Sequence, residues 1–133
     1  MDDALSSARH VQALLAIPFL LMGASHIVQP AMWRTFFTRL QSEGTPALVT
    51  RTFMLEMWPA LLLVVFHRVW SGPAVVLTLY GHALLLKVVL SMLIPGIGMR
   101  SLHMAERGDI GFRVGGILLV ALGGLCVWLQ VRA

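Results

Sequence analysis

The chain has 133 residues, of which 58% are hydrophobic and 12% are charged. Soluble domains carry about 25% charged residues, so this composition argues against a water-soluble globule and favours an integral membrane protein in contact with the lipid bilayer. The net charge of +4 does not indicate a nucleic-acid partner, because the arginines stand singly at the ends of apolar blocks and form no basic stripe.

Four apolar blocks are each long enough to form a helix across a hydrocarbon core of about 30 Å. Membrane-spanning strands would alternate apolar and polar residues, and these blocks do not. Because the connections are short, we expect consecutive helices to be antiparallel neighbours in one all-α domain of residues 1–133, an integral membrane four-helix bundle. The blocks run from Val11 to Val28, from Leu48 to Phe66, from Ala74 to Ile94 and from Phe112 to Val131.

The start of the first block shares features with cleavable signal peptides. Arg9 is followed by a short apolar stretch and then by "GAS". However, Asp2 and Asp3 interrupt the basic start that such peptides have, and apolar residues continue past the cleavage position. The sequence therefore predicts that the first helix is retained.

The three connections differ in character. The first has apolar residues at helical spacing and polar residues on its other faces, which predicts a short helix in the membrane interface after the first span, with an ordinary loop as the alternative. The second, "HRVWSGP", predicts a tight turn. The third, "PGIGMRSLHMAERGD", predicts a solvent-facing loop with one helical turn from Arg100 to Arg107. The apolar residues of the first connection are Trp33, Phe36, Phe37 and Leu40.

The distribution of lysine and arginine predicts an orientation. Six arginines lie at the first and third connections and three at the other end, which places those two connections in the cytoplasm and both termini outside it. With the composition, this indicates a multi-pass protein of the cell inner membrane. The six are Arg34, Arg39, Arg51, Arg100, Arg107 and Arg113, and the three are Arg9, Arg68 and Arg132.

Lys87 lies inside the third block, where an unpaired lysine would cost between roughly 2.5 and more than 10 kcal/mol. Glu56 is the only acidic residue inside any of the four blocks. The second and third blocks form a hairpin centred near Ser71 and Gly72, and Glu56 and Lys87 are equally far from that centre. The sequence therefore predicts that they face each other, about 10 Å from the cytoplasmic edge.

Two interpretations of this predicted pair stay open, and the remaining alternative is that Lys87 does not contact Glu56 and snorkels to the membrane surface. The pair either fixes the helix register without chemistry, or it serves as a relay or binding site for a proton, an ion, a quinone headgroup or a small solute. Pro59 is expected to free the carbonyl of Leu55 as a further acceptor near Lys87. Thr52 and Ser91 are predicted to lie in the same layer.

Two histidines are further candidates. His26 lies about one turn from the cytoplasmic end of the first helix and is a possible third member of the Glu56 and Lys87 cluster. His82 lies near mid-membrane on another face from Lys87, beside Thr78, where a hydrogen bond to a neighbour is expected. A b-type haem needs two facing histidines at matched depth, and no second histidine matches His82. A metal site of His26, His103 and Glu56 is a less favoured alternative. We therefore predict neither a cofactor nor a metal.

The fourth block is rich in glycine. Gly111 and Gly115 have the GxxxG spacing that allows close helix approach, within the bundle or between protomers of a homo-oligomer. Cys126, the single cysteine, excludes an internal disulfide and a Cys-rich metal site, and it is predicted to face lipid or a helix.

Several segments together resemble known families. "GASHIVQP" closing the first helix, and Glu56 early in the second, resemble the DoxX-like families of small four-helix bacterial membrane proteins. "VVFHRVWSGPAVVLTLYGHALLLKVVLSMLIP" resembles a bacterial membrane family with an FHxVW turn, a TLxG and a lysine ahead of a terminal proline. His82 stands where that resemblance leads us to expect a large aromatic residue. DoxX relatives include a subunit of a thiosulfate:quinone oxidoreductase, so the resemblance implies a quinone or electron-transfer partner.

These observations favour a non-enzymatic membrane protein, in the role of an accessory subunit of a membrane redox or quinone complex. The alternative is a small transporter that uses Glu56 and Lys87 as its polar site. A membrane enzyme comes third, because the sequence offers no recognisable set of nucleophile, base and metal ligands.

Overall fold

Helices account for nearly all of the chain in the computed structural model, which describes residues 2–132 without the side chains of Asp2 and Met104. Met1 and Ala133, and with them the predicted position of both termini, lie outside the described residues. The helices are α1 Asp2–Val28, α2 Pro30–Glu43, α3 Thr45–Arg51, α4 Trp58–Phe66, α5 Val75–Leu93, α6 Pro95–Leu102 and α7 Ile110–Arg132. A π-helical turn, Thr52–Met57, joins α3 to α4, and a 3₁₀ turn, His103–Arg107, follows α6.

Four helical segments are long and apolar enough to cross a membrane, and they correspond to the four predicted blocks. The all-α class is therefore confirmed. The segments are Asp3–Val28, Thr45–Phe66, Val75–Leu93 and Ile110–Arg132. The second is not a uniform α-helix, because the π-helical turn interrupts it. The predicted tight turn is also present, and Gly72 takes a positive φ of 62° there.

The four long segments form two pairs. α1 packs along α7, α4 packs along α5, and contacts between α1 and α4 join the pairs. The main core lies where these helices meet, and it includes Leu15, Phe19, Leu63, Leu77 and Cys126. Cys126 is fully buried, so it faces the neighbouring helices.

Glycine allows α1 and α7 to approach closely. A Cβ added at Gly116 would lie 2.6 Å from the Gly23 carbonyl oxygen, and one added at Gly23 would lie 2.7 Å from the Gly116 carbonyl oxygen. The predicted GxxxG motif of Gly111 and Gly115 does not form this close contact between α1 and α7. A Cβ added at Gly115 would meet nothing within 4 Å, because Gly115 and Gly111 line a cleft instead.

The third connection is more ordered than predicted. It folds into α6 and the 3₁₀ turn, which pack against α2, α3 and α5 instead of forming a plain loop. Leu102 and Ala105 are buried there in a second core with Leu40 and Phe112. We call this the α2–α6 end of the bundle. The predicted helix in the first connection is present as α2, and its predicted depth in a membrane stays a prediction.

A chain of hydrogen bonds ties the helices at the opposite end. Gln130 Nε2 lies 3.4 Å from Gln12 Oε1, and Gln12 Nε2 lies 2.8 Å from His67 Nε2. Since the Gln12 amide donates there, His67 carries its proton on Nδ1, which lies 3.0 Å from Thr78 Oγ1. The Thr78 hydroxyl donates to the Val69 carbonyl at 2.7 Å. His67 is fully buried within this network.

The outer faces of the long helices are apolar. Many large hydrophobic side chains are more than half exposed, among them Ile17, Leu21, Leu93, Ile110 and Val131. Water-soluble monomers rarely expose contiguous apolar surface on this scale.

Gly116→Ala tests the contact between α1 and α7. The added methyl meets backbone, so we expect it to destabilise the fold by about 1–3 kcal/mol, the usual range for overpacking. Gly124→Ala is the matched control, because a Cβ there meets nothing within 4 Å. The control should be neutral or stabilising by up to about 1 kcal/mol through helix propensity. Unfolding in detergent followed by circular dichroism measures both, and equal stabilities would contradict the close contact.

The buried His67 predicts loss of stability in acid. Burial lowers the pKa of His67 below its ordinary value of 6.5. The unfolded chain therefore takes up a proton before the folded chain does, and stability falls as the pH drops below 6.5 towards the folded pKa. The loss is at most about 1.4 kcal/mol per pH unit. Unfolding measured at several pH values should show this slope in the wild type and a smaller slope in His67→Gln, which does not titrate. Parallel slopes would be the contrary result.

Candidate functional site

The predicted pair of Glu56 and Lys87 is present. Lys87 Nζ donates a hydrogen bond to Glu56 Oε1. The Glu56 side chain is 12% exposed and the Lys87 side chain is 44% exposed. The hydrogen bond of Lys87 goes to this carboxylate and not to the Leu55 carbonyl that Pro59 was expected to free. The pair therefore lies at the surface of the protein, with its carboxylate the more buried partner.

Arg51 is a third charge at this site. Its Nη2 lies 3.6 Å from Glu56 Oε2, and its Nη1 donates to Ser101 Oγ on α6 at 2.6 Å. Arg51 is only 3% exposed. Removing the partner of a buried ion costs far more than losing an exposed pair, so Glu56 and Arg51 depend strongly on each other. One carboxylate is thus shared by two cations.

The π-helical turn explains how Arg51 reaches Glu56. In an α-helix, residues five apart lie about 140° apart around the axis and face different directions. In a π-helical turn, hydrogen bonds join residues five apart, which brings them onto one side of the helix. Arg51 directly precedes this turn and Glu56 lies five residues later within it. The wider turn therefore directs both side chains to the same place.

Pro59 and Trp58 accompany the end of this turn. The i to i+5 partner of the Met54 carbonyl is residue 59, and proline has no N–H to donate. The Trp58 indole donates to the Met54 carbonyl instead, at 2.9 Å. Trp58 and Pro59 thus favour an end of the π-helical turn at Met57, directly before α4 begins.

Glu56 and Lys87 line a cleft of about 420 Å³ between the two helix pairs. Glu56 and Lys87 supply its charges, and most of its other wall is apolar. It opens sideways on the outer surface of the bundle, because Met54, Trp58 and Leu118 at its edge are exposed. The apolar wall includes Pro18, Phe19, Met22, Leu84, Leu118 and Leu122.

His26 lines the same cleft but is held by other groups. Its Nδ1 lies 2.7 Å from the Met22 carbonyl oxygen, so this nitrogen carries a proton and donates. Its ring stacks on Trp33 with centroids 4.1 Å apart, and the Trp33 indole donates to Ser25 Oγ at 2.8 Å. His26 is therefore a wall of the cleft, and it is not the third member of the charge cluster. Arg51 takes that place.

His82 lies outside the cleft. Its Nδ1 donates to the Thr78 carbonyl at 2.8 Å, and its ring packs on Trp70. These contacts match the expected hydrogen bond to a neighbour on its own face. They give His82 a structural contact at the turn between α4 and α5.

His103 also lies away from the cleft. It joins Gln41 and Glu106 at the surface, where the hydrogen bond from Gln41 and then that of His103 lower the pKa of Glu106. The alternative site of His26, His103 and Glu56 is therefore not assembled. Among residues 2–132, no three His, Cys, Asp or Glu side chains whose positions are described form a group that could hold a metal ion.

Thr52 and Ser91, which were predicted to lie in the same layer as the pair, are both buried. Within the part of the chain that the structure describes, Thr52 Oγ1, Ser91 Oγ and Arg51 Nε have no hydrogen-bond partner. The protein interior near Glu56 thus contains several buried polar groups, although most of the surrounding sequence is apolar.

The charge cluster predicts unequal mutational losses. Glu56→Gln should destabilise the protein by about 3–5 kcal/mol, because it leaves the buried Arg51 guanidinium without a counter-charge. Lys87→Met should cost less, since Arg51 still neutralises Glu56 and the lysine is partly exposed. The double mutant should lose less than the sum of the two, and the difference is their coupling energy. Unfolding titrations in mixed detergent micelles measure all three.

Glu43→Gln is the control for this series. It breaks the exposed pair of Glu43 and Arg39, whose charged atoms are 3.3 Å apart, and should change stability by no more than about 0.5 kcal/mol. Strictly additive losses, or a Lys87→Met loss as large as that of Glu56→Gln, would be inconsistent with a shared carboxylate.

No family model, curated protein or solved structure matches this chain. The cleft offers one carboxylate, one ammonium and an apolar wall that opens to the side of the bundle, and the buried Arg51 lies beside the carboxylate.

Proposed function

We propose that this chain is a multi-pass protein of the bacterial inner membrane. Its four long apolar segments and their exposed apolar side chains support this assignment. The excess of arginine at the α2–α6 end supports an orientation with that end in the cytoplasm and both termini outside it. In this orientation, α2 lies in the cytoplasmic interface of the membrane.

Within the membrane, the protein holds a lipid-soluble molecule in the cleft. The observation that carries this proposal is the sideways opening of an apolar cleft that contains one charged site. A molecule entering from the side of a membrane protein comes from lipid, so it has an apolar body. The volume of about 420 Å³ lies within the range of small-molecule sites, in which a few polar groups orient the ligand.

The protein acts as an accessory subunit of a larger membrane complex, to which it supplies this binding site. The resemblance to the DoxX-like families supports a redox complex and makes a quinone one candidate for the bound molecule. The cleft lining supports binding more directly than catalysis, because its charged groups are already engaged with each other.

A small transporter that uses Glu56 and Lys87 is the alternative. A cation transporter needs negative charge that is free to bind the cation. Arg51 adds a second positive charge beside Glu56, which disfavours cation binding. The charge balance therefore supports a binding site for a larger molecule over a cation pathway.

Binding of brominated probes tests the proposal. Bromine quenches nearby tryptophan, and in a Trp70→Phe/Trp128→Phe background the fluorescence comes from the two cleft tryptophans, Trp33 and Trp58. In nonionic detergent, we expect saturable quenching by at least one of two twelve-carbon probes, a brominated acid and a brominated alcohol, or displacement of a probe by a decyl quinone. Native mass spectrometry of the same preparation identifies any molecule that copurifies.

Gly115→Leu should abolish this quenching, because its side chain fills the cleft. Gly124→Leu is the matched control, since Gly124 also has open space around its Cβ position but does not line the cleft. Quenching that never saturates, or that Gly115→Leu leaves unchanged, would refute a binding role for the cleft.

A further inference from the structure

The charge balance at Glu56 determines which headgroup suits the cleft. Glu56 Oε1 accepts a hydrogen bond from Lys87, and Glu56 Oε2 lies 3.6 Å from Arg51 Nη2. Two cations beside one carboxylate leave a net charge of +1 at this site. In an apolar surrounding, an uncompensated charge is costly and attracts an ion of the opposite sign.

Lys87 is the cation that a ligand can reach. Arg51 is 3% exposed and its guanidinium does not lose its proton, so it is a fixed partner of Glu56. The Lys87 side chain is 44% exposed and lines the cleft. An ammonium group has three N–H donors, and Glu56 takes one of them. Two donors of Lys87 therefore remain for a group in the cleft.

Neighbouring charges at the α2–α6 end do not supply the missing negative charge. Arg34 Nη1 lies 2.9 Å from Asp109 Oδ1, so this pair is neutral in sum. The other titratable groups of the cleft wall are His26, which donates its Nδ1 proton to Met22, and Tyr80, whose phenol is uncharged at neutral pH. The net charge of +1 that Arg51, Glu56 and Lys87 share is thus not offset by these neighbouring groups.

The shape of the cleft limits the rest of the ligand. Its volume of about 420 Å³ is near the lower end of the range for small-molecule sites, about 300–1,000 Å³. This is room for one acyl chain and not for the two chains of a phospholipid. The wall beyond Lys87 consists largely of apolar side chains, such as Phe19, Leu118 and Leu122.

We propose that the molecule held in the cleft is a single-chain carboxylic acid of the fatty-acid class. Its carboxylate binds the Lys87 ammonium, and its chain lies along the apolar wall towards Leu122. A hydrogen bond between two ionised groups is about twice as strong as one between neutral groups, so the acid is preferred over a neutral molecule of equal length. This inference rests on the proposed function, from which it takes the cleft as the binding site.

The test compares headgroups on an identical tail. In the Trp70→Phe/Trp128→Phe background, brominated dodecanoate and brominated dodecanol are titrated in nonionic detergent, with a decyl quinone and phosphatidylglycerol as competitors. We expect the acid to bind about ten- to a hundredfold more tightly than the alcohol, the range that a charge-assisted hydrogen bond spans. The quinone and the phospholipid should displace the acid poorly.

Variants at Lys87 assign the preference to that side chain. Lys87→Met should remove the preference for the acid and leave binding of the alcohol within about twofold, while Lys87→Arg, which keeps the charge, should retain the preference. Arg113→Met is the matched control, because it makes the same change of net charge at an exposed position that does not line the cleft. It should behave as the wild type does.

Each outcome has a distinct meaning. Equal binding of acid and alcohol by the wild type, or displacement of the acid by the quinone at equal concentration, would overturn the acid headgroup and leave the cleft as a binding site for neutral lipid-soluble molecules. Efficient displacement by phosphatidylglycerol would overturn the single-chain assignment. Absence of saturable binding by every probe would overturn both this inference and the proposed function.

Discussion

Glu56 lies between the buried guanidinium of Arg51 and the partly exposed ammonium of Lys87, and the arrangement of four elements depends on this carboxylate. Arg51 comes from the end of α3, Glu56 from the π-helical turn, Lys87 from α5, and Ser101 of α6 accepts a hydrogen bond from Arg51. A charge in an apolar interior is tolerated only beside a counter-charge. The register of α5 against the second long segment, and the docking of α6, are therefore set by electrostatics as well as by apolar packing.

The cleft is a consequence of how the two helix pairs meet. Gly23 and Gly116 allow α1 and α7 to pack backbone against backbone. On α7, Gly116 and Gly123 lie on the side that faces α1. Gly111 and Gly115 of α7 line the cleft, and a Cβ added at Gly115 would meet nothing within 4 Å. Glu56 and Lys87 line the same cleft. Tight packing at one helix interface thus leaves an opening at the next, and Lys87 lines that opening.

The sequence predicted the pair of Glu56 and Lys87 because an antiparallel hairpin converts distance along the chain into depth, and the two residues are equidistant from the turn. It placed Arg51 among the arginines of the first connection, and α-helical periodicity puts residues 51 and 56 on different faces. The π-helical turn removes that separation. Pro59, two residues beyond the turn, was a visible signal that the helix is irregular here. The hydrogen bonds of His67 were not predicted, since its partners Gln12 and Thr78 lie on other helices.

The sequence by itself determined the all-α class, the four apolar segments and their approximate limits, because these follow from composition and from the length of helix needed to cross a hydrocarbon core. It also determined that one lysine and one glutamate lie at equal depth. Only the tertiary structure decided that Arg51 shares the carboxylate, that His26 and Trp33 form a wall, and that the third connection folds onto α2. Periodicity along one helix specifies a direction relative to its own axis. Which neighbour lies in that direction depends on how helices distant in sequence pack together.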